Sequence, residues 1–127
     1  MTRLLLFLLT VIFAAAGNAA SLSPAARAEI DALMSRLEAS SCTFNRNGTW
    51  YPATEAKAHL LGKLKYLEDR GAVQSAEQFI ERAASSSSTT GKPYRVKCGS
   101  DASVESGPWL RSQLQLIRSA GRTGSAR

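Results

Sequence analysis

Histidine occurs once in this chain and cysteine only twice, too few for a cluster of soft or imidazole metal ligands. Nothing in it reads as a glycine-rich phosphate loop or as the strand-turn-helix elbow that presents a nucleophilic serine. No internal repeat and no second domain can be found, and no cofactor is expected. Charge of one sign is in modest supply as well: the net charge is +6, falling to +5 without Arg3. A balance that mild does not suggest a nucleic-acid partner.

The single long apolar run is Leu4–Ala16, too short to span a bilayer comfortably. It follows Met1-Thr2-Arg3 and precedes Gly17-Asn18-Ala19, so residues 1–19 read as a signal peptide cut after Ala19, with Ala20 the neighbouring alternative. The mature chain has no second run of spanning length. The mature chain is therefore expected to be soluble and exported. In an oxidising compartment the two cysteines, Cys42 and Cys98, are expected to form a structural disulfide, which also removes both thiols from chemistry.

What the chain does contain is periodicity. Ser23-Pro24 opens a helix with Ile30, Leu33, Met34 and Leu37 on one stripe. Cys42–Tyr51 is rich in strand formers around Asn47-Gly48, a hairpin-turn signal, and Pro52 ends it. The central helix is Glu55–Arg70, with Thr54 as its candidate N-cap, Gly71 as its stop, and Ala56, Leu60, Leu64 and Leu67 inward. Ser75 and Gln78 read as a capping box before Ala76, Phe79, Ile80, Ala83 and Ala84. A hydroxyl run, Ser85–Thr90, and a Gly91-Lys92-Pro93 turn lead to a strand at Tyr94–Cys98. Gly99–Gly107 reads as a loop, and Pro108 opens a last helix with Leu110, Leu114 and Ile117 inward.

The chemistry-bearing residues gather on the central helix. Glu55, His59 and Lys63 are spaced four apart and Tyr66 follows three later, forming one flank beside the apolar stripe. One reading makes His59 a boundary residue paired with Glu55, with Lys63 laying its stem along the surface. The other makes His59, Lys63 and Tyr66 one wall of a cleft, with Arg46 or Lys92 opposite, suited to a carboxylate or phosphate. A hydrolase would need one serine of the 85–88 run beside His59.

FNRNGTWY, EAKAHLLGKL, SAEQFIERAASSSSTTGKPYRV and PWLRSQL, in this order and spacing, resemble the YfeK-like family of small exported bacterial proteins, which carry a domain of unknown function. The resemblance covers Ser23 to Arg118. It implies a periplasmic, one-domain protein and brings no activity with it. Arg46-Asn47-Gly48, Ala56, His59-Leu60, Lys63, Ser85–Ser88 and Gly91-Lys92-Pro93-Tyr94 fit the family pattern, so the resemblance implies an ordered hydroxyl run and adds Tyr94 to the candidate site.

The expected fold is α+β: a small single domain over residues 20–118, with about four helices and a short antiparallel sheet of two to three strands. One disulfide, Cys42–Cys98, and a disordered tail over 119–127 complete it. The expected function is a periplasmic binding or accessory module without catalysis. It would use Arg46, His59, Lys63, Tyr66, Lys92 and Tyr94 towards an anionic envelope component or another periplasmic protein. The alternatives are an envelope hydrolase and a purely structural polar motif.

Overall fold

The computed structural model describes residues 21–125, with side chains through Arg122, so the expected signal segment lies outside the described residues. Helix α1 (Pro24–Ala39) starts where the sequence places it. Ser23 accepts a hydrogen bond from the Ala26 amide at 3.1 Å, and Pro24 occupies the first turn, where a missing N–H leaves no bond unmade. Ser41, with φ 57, then turns the chain into strand β1 (Thr43–Arg46).

Asn47 and Gly48, at φ 52 and 88, form the left-handed pair that a two-residue hairpin requires, and strand β2 (Thr49–Pro52) returns antiparallel to β1. Helix α2 (Ala53–Glu68) begins at once, with Pro52 at the N-cap position and no side-chain cap. Thr54 therefore lies inside the first turn instead of capping it. The hairpin delivers the chain to the helix already in the extended conformation a cap needs, and buried Ala53 holds the junction. Gly71, at φ 63, closes α2, with its amide on the Glu68 carbonyl and the Ala72 amide on Leu67, a Schellman-type ending.

Helix α3 (Ala76–Phe79) runs on into a π-helical turn, Ile80–Ala84, which the sequence does not announce. Ser75 Oγ accepts from the Gln78 amide at 3.1 Å, while Gln78 Oε1 accepts from Gln74 N, one residue before the partner of a standard capping box. Ser75→Ala is expected to cost about 1 kcal/mol in urea unfolding. Strand β3 (Arg95–Lys97) pairs with β1, and a fourth strand, β4 (Val104–Glu105), pairs with β3. The sheet thus has four strands in the order β2-β1-β3-β4, not two or three. Two residues within an expected loop are too few to carry an alternating pattern; β4 exists because β3 offers it an edge.

Helix α4 (Ser106–Ser125) buries Leu110 and Leu114 and lays Trp109 edge-on against Phe44 at 5.7 Å. It continues through most of the stretch expected to be disordered. Once nucleated on the core, a helix adds residues at little cost even without apolar contacts. Arg118 ties it to Glu29 of α1 and Glu77 of α3 at 2.7 and 2.5 Å.

The core lies between the helices and one face of the sheet, centred on Ile30, Leu33, Leu37, Phe79, Ile80 and Leu110. That sheet face carries Phe44 and Val96, while Trp50 is exposed on the other. The Cys42–Cys98 disulfide is formed, joining the residue before β1 to the residue after β3.

Candidate functional site

The sheet register brings the first two members of the site together. Asn45 of β1 is paired with Arg95 of β3, so Arg46 and Tyr94 follow one step beyond, on the face that meets α2. Tyr51, across the hairpin from Phe44, shares that face. Its hydroxyl accepts from Arg46 Nη2 at 3.4 Å, and the Arg46 guanidinium lies 5.0 Å from its ring centre. The sequence reading left Tyr51 out of the site. The two-residue turn was the signal that could have found it, because it sets Tyr51 diagonally opposite Arg46.

Helix α2 supplies the other half. Arg46 Nη1 lies 2.7 Å from His59 Nδ1, and His59 Nε2 lies 3.2 Å from the Tyr94 hydroxyl. One turn along, Lys63 Nζ donates to the same hydroxyl at 3.2 Å and to the Ser86 carbonyl at 3.1 Å. Arginine can only donate, so neutral His59 accepts at Nδ1 and carries its hydrogen at Nε2. The Tyr94 oxygen then receives two donors. Its own hydrogen has no acceptor among the described residues.

The hydroxyl run is ordered and faces the hairpin tip. Asn47 Nδ2 donates to Ser87 Oγ at 3.2 Å, and Thr90 Oγ1 donates to Asn47 Oδ1 at 2.7 Å. A bridge between Ser86 and Pro93 and the left-handed Gly91 leave Lys92 exposed at the outer end of this turn, away from the cluster. Tyr66 is also outside it. The hairpin reaches only the middle of α2, and the exposed Tyr66 ring instead stacks on Arg70, with the guanidinium carbon 3.4 Å from the ring centre. Of the expected residues, then, Arg46, His59, Lys63 and Tyr94 converge through hydrogen bonds, Tyr66 shares with His59 and Lys63 only the wall of a neighbouring groove, and Lys92 stands apart. Glu55 makes no ion pair with His59, whose partners are Arg46 and Tyr94.

Beneath Arg46, His59 and Tyr94 lies a cavity of about 110 Å³, with Leu37, Phe44, Ala56, Leu60, Ala84 and Leu110 in its walls. Neither Arg46 nor Lys63 has a carboxylate within ion-pair distance among the described residues. Elsewhere on the surface, Arg27 and Lys57 each have one and Arg118 has two.

With this geometry in hand, comparison with known proteins places the chain. Residues 24–118 match a family of unknown function, DUF5329. The chain belongs to the DUF5329 family. Uncharacterized protein YfeK of Salmonella typhimurium is 46% identical over 68 residues, which cover 53% of this chain and 55% of that protein. The chain thus aligns with about half the length of that relative. No solved structure matches. The resemblance to YfeK-like proteins is borne out, and it assigns no activity.

In this DUF5329 domain the imidazole is poorly suited to act as a general base. Burial, then the charges of Arg46 and Lys63, lower the His59 pKa from its usual value, and both ring nitrogens are engaged. None of the serines 85–88 hydrogen-bonds it. Ser85 Oγ donates to the Ile80 carbonyl, and Ser87 Oγ is held by Asn47 and Thr89. Burial, then Arg46, likewise lowers the pKa of Lys63, while burial raises that of Tyr94 against the opposing pull of Arg46.

These directions fix a pH dependence. The unfolded chain protonates His59 near pH 6.5, and the folded domain does so only at lower pH. Over that interval the unfolded state holds more protons, so stability present above the unfolded pKa is lost as pH falls through the folded one. Urea unfolding between pH 7 and 5 is expected to show this loss, and His59→Gln to flatten it. Equal slopes in the two proteins would contradict the assignment.

Proposed function

We propose that this protein is an exported, non-catalytic binding module that holds an anionic group between Arg46, His59, Lys63 and Tyr94. One observation carries the reading. Two half-buried cations, Arg46 and Lys63, share the His59–Tyr94 pair and have no counter-ion among the described residues. Such a site leaves charge-assisted donors unspent, which is what a carboxylate or phosphate needs. Export is supported by the sequence of residues 1–19 and by the Cys42–Cys98 bond.

The test is thermal unfolding of the oxidised protein with peptidoglycan fragments, phosphates, simple carboxylates and acidic peptides. A ligand that binds only the folded state raises the melting temperature with its concentration. The rise is expected for anions and is expected to vanish in Lys63→Met and Arg46→Met. A panel with no shift, or shifts that survive both substitutions, would overturn the proposal.

A structural reading is favoured by a different observation. Asn47, Ser87 and Thr90 stitch the hairpin to the hydroxyl run, and Lys63 ties α2 to the Ser86 carbonyl. On that reading the polar cluster secures three elements and supports a surface for another envelope protein. Its mark would be early melting of the Lys63 and His59 variants with no ligand found.

A further inference from the structure

Arg46 and the cavity are parts of one recess, Lys63 reaches its Tyr94 hydroxyl from outside the lining, and together they specify more than a charge. Arg46, His59 and Tyr94 belong both to the polar cluster and to the cavity lining. The rest of that lining is chiefly hydrocarbon from Leu37, Phe44, Leu60 and Leu110. A bare oxyanion would satisfy the donors and leave this apolar wall unused. An apolar molecule would fill the wall and leave Arg46 without an ion-pair partner.

The balance of charge narrows the head group. Arg46 and Lys63 are positive, and His59 already gives Nδ1 to Arg46 as an acceptor, which requires the neutral ring. Glu55, exposed on the first turn of α2, is the one carboxylate in the lining. Arg46 and Glu55 of the lining, with Lys63 on the Tyr94 hydroxyl counted beside them, leave a single net positive charge, which a monoanion cancels and a dianion overshoots. The free donors fit as well. Two N–H groups of Arg46 have partners, on His59 and Tyr51, and the Tyr94 hydrogen has no acceptor among the described residues. A planar carboxylate accepts from such a fork with both oxygens.

We propose that the recess binds a small monocarboxylate with a compact apolar body, its carboxylate on Arg46 and the Tyr94 hydroxyl and its hydrocarbon in the cavity beneath. This rests on the anion-binding reading above and specifies its ligand. A cavity of about 110 Å³ is smaller than the ~150 Å³ that accommodates benzene, so the body has roughly four or five carbons.

The experiment is calorimetric titration of the oxidised protein with straight-chain carboxylates from acetate to octanoate, the matching alcohols, and inorganic phosphate. Affinity is expected to rise about fourfold per methylene, the value of one buried CH₂, and to level off once the cavity is full. Each alcohol is expected to bind at least tenfold more weakly than its acid. Glu55→Gln is expected to tighten binding of every carboxylate, and Ala56→Leu, which fills the cavity from α2, to remove the gain with chain length. Should Ala56→Leu not fold, the chain-length series on the unaltered protein decides alone.

Acetate and phosphate binding through Arg46 with no gain along the series would overturn this inference and leave the anion-binding reading standing. Alcohols binding as tightly as the acids would also overturn it. No binding by any anion would remove both.

Discussion

Replacing Cys42 and Cys98 with alanine is expected to lower the stability of the domain by about 4 kcal/mol. The bond closes a loop with a sequence separation of 56, and opening it returns that loop's freedom to the unfolded chain. For a domain of this size the corresponding drop in melting temperature is roughly 20 °C. Two features argue that the loss falls on the unfolded state more than on the native sheet. Strand β1 keeps its pairing with both β2 and β3, and Phe44 and Val96 remain packed on the helices. The reduced protein should therefore fold to the same sheet and unfold in one transition. Urea curves of the oxidised and alanine proteins, read with circular dichroism, measure it. Equal midpoints would mean that the bond spans a segment already restrained before folding.

The second large effect is on anion affinity. A hydrogen bond to a charged group contributes about 1.5–3 kcal/mol, so Lys63→Met and Arg46→Met should each weaken binding by roughly ten- to a hundredfold. The same substitutions should leave the ligand-free protein as stable as before or slightly more so. Lys63 is a partly buried cation whose charge is disfavoured first by burial and then by Arg46, with no carboxylate to offset it among the described residues. Methionine keeps the apolar stem, removes the charge, and leaves the Ser86 carbonyl to water. Affinity and stability thus move apart, as they do where a site is kept charged for function at some expense of stability. If both variants melted well below the parent, the cluster would be a structural joint and the binding proposal would fall.

Much of this domain is legible without coordinates. The helices announce themselves through local signals: Ser23-Pro24 and Ser75 at two starts, Gly71 at one stop, and apolar stripes at a spacing that only a helix places on one face. The hairpin is written in Asn47-Gly48, whose left-handed backbone belongs to the turn itself. The disulfide follows from there being only two cysteines. Each of these depends on residues close in sequence, or on a choice with one answer.

Tertiary structure decided the rest. Strand β4 has no local signature and forms only because β3 presents an unpaired edge beside it. Helix α4 runs past its last apolar contact because the core has already nucleated it. The choice between Arg46 and Lys92 turned on the β1–β3 register and on where the hairpin meets α2. Sequence spacing puts His59 and Lys63 on one face of a helix; it says nothing of what that face will meet. Side-chain type and local period are properties of a segment, whereas the approach of two segments is set by the packing of all of them.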